Sequence, residues 1–200
     1  MPQTLVLFVR EPLLGRGKRR LARDIGDVAA VQFERLMIAG LLRRLAADTR
    51  WQLRIAVTPD SACSRARHWY ARVAAAAGQG NGDLGARMRR ALANSPPGPV
   101  VLVGSDIPAL RAHHIAEAFR LLGCHDLVFG PAEDGGFWLV GARHPQHLPR
   151  LFEQVRWSSP HALADTLAGL SRRIRIGFAA TLDDVDDGTS YYRLTTGFRS

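Results

Sequence analysis

Short apolar runs alternate along this chain with longer amphipathic stretches, and the two periods predict strands and helices in turn. Leu5-Val6-Leu7-Phe8-Val9 is an unbroken apolar run ending at Arg10, the mark of a strand buried on both faces. Val100-Val101-Leu102-Val103-Gly104 reads the same way, and residues 52–58, 126–130 and 137–141 give further strands. Residues 174–178 read as an edge strand. Ala29, Ala30, Phe33, Leu36, Met37, Leu41 and Leu45 recur near helical spacing, which predicts a helix over residues 21–47. Residues 61–77, 84–94, 111–122, 147–154, 160–171 and 189–196 are the other predicted helices. Pro59-Asp60, the glycine-rich residues 78–83 and Ser95-Pro96-Pro97-Gly98 punctuate the boundaries. This alternation predicts an α/β fold with a mixed, mostly parallel sheet and helices on its faces. There is no internal repeat and no parting linker, so residues 1–200 are read as a single domain.

Composition narrows the function classes. Two hundred residues at 46% hydrophobic content suffice for one core. No window is long and apolar enough for a membrane span, and Met1-Pro2-Gln3-Thr4 lacks the start of a signal peptide, so a cytoplasmic protein is expected. Cys63 and Cys124 lie far apart with no metal or redox spacing, which fits a reducing compartment. The net charge is +9, yet its basic clusters are scattered over predicted helices and loops with no interleaved aromatics. Nucleic acid is therefore not expected as a partner. Phosphate-bearing small molecules are the better use of the charge.

Five segments carry chemistry. Gly104-Ser105-Asp106 follows a buried strand, where α/β proteins bind ligands, so Asp106 is either a divalent-cation ligand or a turn and cap carboxylate. Pro12-Leu13-Leu14-Gly15-Arg16-Gly17-Lys18-Arg19-Arg20-Leu21 follows the first strand and opens a helix. Its glycines let backbone N–H groups approach phosphate oxygens, and Lys18 is the only lysine among 27 basic residues. It is neither a Walker A loop nor a G-x-G-x-x-G loop; a solvated basic turn is the plain alternative. Gly82-Asp83-Leu84-Gly85 precedes a helix, where Asp83 could be an N-cap alone. Gly130-Pro131-Ala132-Glu133-Asp134-Gly135-Gly136 sets two carboxylates beside two glycines, which is also ordinary turn chemistry. Near the C-terminus, Asp183-Asp184-Val185-Asp186-Asp187 offers oxygen ligands for Mg²⁺ or a solvated acidic face. Ser105 is outside any nucleophile elbow, and the histidines lack metal-ligand spacing.

In this order and spacing, these segments resemble the DUF2064 family of GT-A-fold proteins, and more distantly 2-phospholactate guanylyltransferases and molybdenum-cofactor nucleotidyltransferases. The pattern P-x-x-G-x-x-K-T-R-L, G-D-L-G-x-R-M, G-S-D-x-P, G-P-x-x-D-G-G-[YF], W-S-T-P and D-x-D is met by residues 12–21, 82–88, 104–108, 130–137, 157–160 and 184–186. Arg19 replaces the usual Thr, Ser159 another Thr, and the Asp-Thr-Pro-Glu-Asp ending is degraded.

The resemblance implies a GT-A three-layer α/β/α sandwich that binds a nucleotide-diphosphate sugar or a nucleoside triphosphate together with Mg²⁺ or Mn²⁺. Asp106, helped by Asp186, would hold the metal. Gly15, Gly17, Lys18, Arg20, Gly82, Asp83, Gly85, Gly135 and Gly136 would surround the nucleotide, with Lys18 and Arg20 opposing phosphate charge. The first expectation is glycosyl transfer to a small-molecule acceptor, with Asp134 or Glu133 as base and Trp157 as a sugar wall or a core residue. Nucleotidyl transfer with pyrophosphate release is the alternative, favoured by the cationic loop; a non-catalytic nucleotide-binding protein is the third. A homodimer is left open. The loops after Val9, Gly104 and Gly130 are expected to converge on one sheet edge.

Overall fold

The computed structural model describes residues 2–147 and 151–197. At its centre is β1 (Gln3–Arg10), parallel on one side to β2 (Trp51–Thr58) and on the other to β4 (Val100–Gly104). β3 (Ala75–Gly78) extends the sheet beyond β2. On the far side β6 (Phe137–Ala142) runs antiparallel between β4 and β5 (Leu127–Pro131), and β7 (Ile176–Phe178) closes the edge parallel to β5. The order is β3-β2-β1-β4-β6-β5-β7, with β6 the one strand reversed among those described.

Strand alternation splits the core in two. Leu5, Leu7 and Val9 face a cluster with Ile38, Leu41 and Leu45 of α2 (Asp27–Ala46) and Ile115, Ala118 and Phe119 of α5 (Ala112–Leu121). Val6 points the other way, with Leu102, Phe129 and Val140, against Met88 and Leu92 of α4 (Leu84–Ala93). Leu163 and Leu167 of α6 (Ala162–Ala168) pack against that second cluster. The fold is thus the expected α/β/α sandwich.

Several predicted boundaries are corrected. The helix expected over residues 21–47 is interrupted by Gly26 at φ +87°, a value only glycine adopts easily, giving α1 (Arg19–Ile25) and then α2. The helix expected over residues 61–77 is reduced to α3 (Cys63–Ala66), and its alanine-rich end becomes β3. Alanine favours helix locally, but the open edge of β2 at residues 54–57 offers a full hydrogen-bonded ladder. Gly78 closes that strand against the Asp60 carboxylate, where a Cβ would collide. Of the helix expected over residues 147–154, the described part is not formed: Pro145–His147 is a 3₁₀ turn, residues 148–150 lie outside the described residues, and Phe152 and Gln154 take positive φ. Leu151 and Phe152 are buried there as anchors. The terminal helix is α7 (Gly188–Gly197). No described helix is long and apolar enough to cross a membrane.

Six strands run one way, so the segments after β1, β2, β3, β4, β5 and β7 leave the sheet at one edge, where β6 enters. At the opposite edge, where the parallel strands begin, the short β7 is pinned by Asp126, which accepts from the Arg175 backbone N–H at 2.9 Å and from its guanidinium at 3.0 Å. Hydrogen bonds from the Arg175 guanidinium and backbone hold the Asp126 carboxyl down at about 2. Its stabilising contribution is complete above the ordinary carboxylate range and is lost as pH falls through the folded value. Asp126→Ala is expected to lower Tm by about 2 °C at neutral pH. In thermal melts the gap from wild type should close between about pH 4 and pH 2; a gap independent of pH would remove the ion pair as its cause.

Candidate active site

Gly104 ends β4, and a Cβ there would lie 2.9 Å from Asp106 Oδ1, so glycine lets the following carboxylate fold back toward the sheet edge. The Asp106 carbonyl accepts from Val185 N at 3.1 Å, and Val185 is itself buried. This contact sorts the C-terminal acidic run. Asp183 faces solvent, and Asp187 accepts from Ser190 N at 2.8 Å at the start of α7. Asp184 and Asp186, on either side of the buried valine, join Asp106 with carboxylate oxygens all within 4.8 Å of one another.

Lys18 lies between them. Its Nζ donates to Asp106 Oδ2 at 3.0 Å and to Asp186 Oδ1 at 2.6 Å, and only 12% of its side chain is exposed. Burial alone would lower the lysine's pKa, but the charges and hydrogen bonds of Asp106 and Asp186 outweigh it and hold the ammonium protonated. Asp184 is pushed up to about 7 by burial first, then by the negative Asp186 and Asp106, against the opposing pull of Lys18. Gly17, at φ +132°, lets the loop pass the Glu34 carboxylate, which accepts from Lys18 N at 3.4 Å. Burial raises Glu34, opposed by that hydrogen bond.

Three carboxylates against one ammonium leave negative charge in excess, and an oxygen-only donor set suits a hard divalent cation. Asp106, Asp184 and Asp186 could hold one. The sequence reading selected Asp106 and Asp186 but not Asp184, although residues 184–186 form the D-x-D pair.

The cluster opens on a cavity of about 690 Å³ at the strand ends. Gly17, Lys18, Arg20, Asp106, Asp134, Gly136 and Asp186 line it. Asp134 accepts from Gly136 N at 2.8 Å, while Glu133 is exposed and off the wall. Gly135 is off the wall as well, with the Pro160 carbonyl where a Cβ would stand. Gly82, Asp83 and Gly85 shape the approach to α4: Asp83 accepts from Ala86 N at 2.7 Å as its N-cap, and Gly85 gives room to Phe152 and Trp157. Gly15 lines a separate cavity of about 510 Å³ on the outer side of the first loop, which Gly17 and Lys18 share. Trp157 reaches the main cavity wall edge-on to Phe137, with ring centroids 6.2 Å apart.

Sequence reasoning passed over a second arrangement at the opposite end. Gln79, fully buried, donates to the carbonyls of Val9 at 2.9 Å and Ala56 at 2.8 Å, and accepts from Arg87, which lines the cavity. A glutamine after a glycine gave no signal, because its two acceptors come from strands 70 and 23 residues away.

A family model described as "Uncharacterized protein conserved in bacteria (DUF2064)" matches residues 41–159, more than half of the chain. Among solved structures, a Desulfovibrio desulfuricans G20 protein provisionally named a nucleotide-diphospho-sugar transferase is 29% identical, over 94% of this chain and 84% of that chain, with a TM-score of 0.83. A CMP:2-keto-3-deoxy-manno-octonic acid synthetase complexed with CTP is 13% identical, over 100% of this chain and 99% of that one, with a TM-score of 0.63. Glucosyl-3-phosphoglycerate synthase from Mycobacterium tuberculosis, in complex with Mn²⁺, UDP and glucosyl-3-phosphoglycerate, is 13% identical over 97% of this chain and 75% of that one, with a TM-score of 0.60. The latter two likenesses are of fold. Among curated proteins, none matches.

Replacing Lys18 by methionine removes the cation that keeps the three carboxylates together. In EDTA at neutral pH the Lys18→Met protein is expected to melt roughly 5 °C below wild type. Added Mn²⁺ should raise its Tm by more than it raises that of wild type. Equal melting temperatures in EDTA would mean that solvent alone screens the cluster.

Proposed function

Because the chain belongs to the DUF2064 family and has the fold of nucleotide-diphospho-sugar transferases, we propose that it is a transferase moving a glycosyl group from a nucleotide-diphosphate sugar to a small-molecule acceptor. The observation that carries this reading is the cluster of Asp106, Asp184 and Asp186 around Lys18, at the wall of a cavity that also holds Asp134 and the aromatic Phe137 and Trp157. A divalent cation held by the three carboxylates supplies, when bound, Lewis-acid neutralisation of the departing diphosphate. The Mn²⁺ and UDP of the glucosyl-3-phosphoglycerate synthase structure support that choice of group, and Mg²⁺ satisfies the same donor set.

The chain's own groups do the rest. Lys18 and Arg20 face the phosphates; α1 has only seven residues, so their side chains rather than a long helix dipole supply the positive charge. Gly17 and Gly136 leave room for the nucleotide at the wall, while Gly15, Gly82, Asp83, Gly85 and Gly135 shape the loops behind it. Asp134 is in no ion pair among the described residues and takes the proton of the acceptor hydroxyl. The partners are therefore a nucleotide and a small acceptor, in a cytoplasmic setting that suits the free thiols of Cys63 and Cys124.

One observation favours nucleotidyl transfer instead. Arg10, Lys18, Arg19 and Arg20 all line the cavity, more positive charge than a diphosphate needs. Phosphorus NMR of the protein with Mn²⁺ and a panel of nucleotide sugars and triphosphates separates the two. Free nucleoside diphosphate is expected; pyrophosphate would establish the nucleotidyl reading, and binding without turnover a non-catalytic one.

Two substitutions test the assignments. Asp106→Ala is expected to abolish metal-dependent nucleotide binding in calorimetry with Tm near wild type, and persistent binding would make Asp106 structural. Asp134→Asn should lower kcat by about 100-fold with the donor KM little changed; an unaltered kcat would exclude it as the base.

A further inference from the structure

Lys18 holds Asp106 and Asp186 through one oxygen of each. Its Nζ donates to Asp106 Oδ2 at 3.0 Å and to Asp186 Oδ1 at 2.6 Å, which uses two of the three donors of an ammonium. A Cβ at Gly104 would lie 2.9 Å from Asp106 Oδ1, so the second oxygen of that carboxylate rests over the end of β4. A divalent cation held by the same carboxylates draws on the lone pairs that the ammonium now uses. It would stand one ligand atom away from Nζ, and two positive charges that close repel strongly where most water is excluded.

The ammonium has a second place to go. The Lys18 backbone is anchored: its N–H donates to Glu34 Oε1 at 3.4 Å, and its carbonyl accepts from Ala22 N at 2.8 Å in the first turn of α1. Beyond that anchor, a four-carbon stem can swing its charge without moving the loop. Lys18 lines the main cavity together with Arg10, Arg19 and Arg20, and none of those arginines is in an ion pair among the described residues. Phosphate oxygens drawn to these arginines offer the ammonium acceptors as strongly charged as the carboxylates it leaves.

We propose that Lys18 is a plug for the cation site: its ammonium and a divalent cation occupy the Asp106–Asp186 pair in turn, and a nucleotide phosphate draws the ammonium off so that the cation enters with the nucleotide. Metal and nucleotide binding are then coupled through one side chain, and the coupling is reciprocal. Until a nucleotide arrives, the acids stay paired and the site takes up little free cation. The plug rests on the reading of the three carboxylates as a cation site; it does not depend on which group is transferred.

Lys18 is the only lysine in the chain, so ¹³C,¹⁵N-labelled protein gives a single lysine ammonium resonance that reports its partners directly. In EDTA, Nζ is expected to show couplings across its hydrogen bonds to the carboxylate carbons of Asp106 and Asp186. With Mg²⁺ and UDP bound, those couplings should vanish and a coupling to phosphorus should replace them. In calorimetry without nucleotide, Lys18→Met is expected to bind Mg²⁺ about tenfold more tightly than wild type. The factor by which UDP tightens Mg²⁺ binding should fall about tenfold in the variant. Wild type that takes up Mg²⁺ only once UDP is added, beside a variant that binds Mg²⁺ alone, supports the plug as well. Carboxylate couplings that persist in the Mg²⁺-bound protein overturn it, even if the variant binds more tightly, because repulsion between neighbours would then suffice. If Lys18→Met does not fold, the wild-type spectrum still decides. Mg²⁺ binding to neither protein, with or without UDP, overturns the cation reading beneath the plug. An exchange of partners by Lys18, without release of nucleoside diphosphate or pyrophosphate from any donor, upholds the plug and overturns the transferase reading.

Discussion

Three carboxylates within 4.8 Å of one another repel strongly, and the site exists because a single buried ammonium sits among them. Lys18 joins chain segments 88 and 168 residues away, so the contact ties the first loop to the end of β4 and to the approach of α7. The coupling runs both ways. The acids keep the lysine charged despite its burial, and the lysine offsets part of the repulsion that pushes Asp184 up to about 7. The carboxylate cluster and the buried lysine are in this way one electrostatic unit rather than two adjacent features.

That unit needs a frame that delivers its parts to one place. Parallel strands do so because their carboxyl ends share an edge, so separate loops meet without any loop having to be long. Glycine at the close approaches makes the convergence sterically feasible: Gly17 passes Glu34, Gly104 admits the Asp106 carboxylate, and Gly135 passes the Pro160 carbonyl. The reversed β6 brings Phe137 to the same edge from the opposite direction. It is this reversal that sets aromatic rings beside a charged centre.

The two ends of the cavity differ in physical character, and the difference follows from the layers. Toward α2 the wall carries Glu34, Lys18 and the carboxylates; toward α4 it is aromatic and aliphatic, with positive charge confined to Arg87 and Arg10. Asp134 stands on the same wall, on the turn between β5 and β6.

Much of this was legible in the residues alone. Unbroken apolar runs announced β1 and β4, glycines after them announced turns, and Asp106, Lys18 and Asp134 stood out because their chemistry is local to a strand end or a loop. The α/β/α layering followed from the alternation of periods, and family membership from the ordered motifs. What the residues did not reveal depends on partners distant in the chain. β3 is alanine-rich, and only the open edge of β2 makes it a strand. The D-x-D spacing set Asp184 and Asp186 apart from their acidic neighbours, but only the burial of Val185 between them showed that both carboxylates join Asp106. Gln79 and Arg87 acquire their roles from carbonyls and a ring supplied by two other elements, β1 and β2. Local sequence sets what a segment can form and which chemistry it carries. Which charges share one low-dielectric space, and which donors lie buried without a partner, is decided only when distant segments exclude water together.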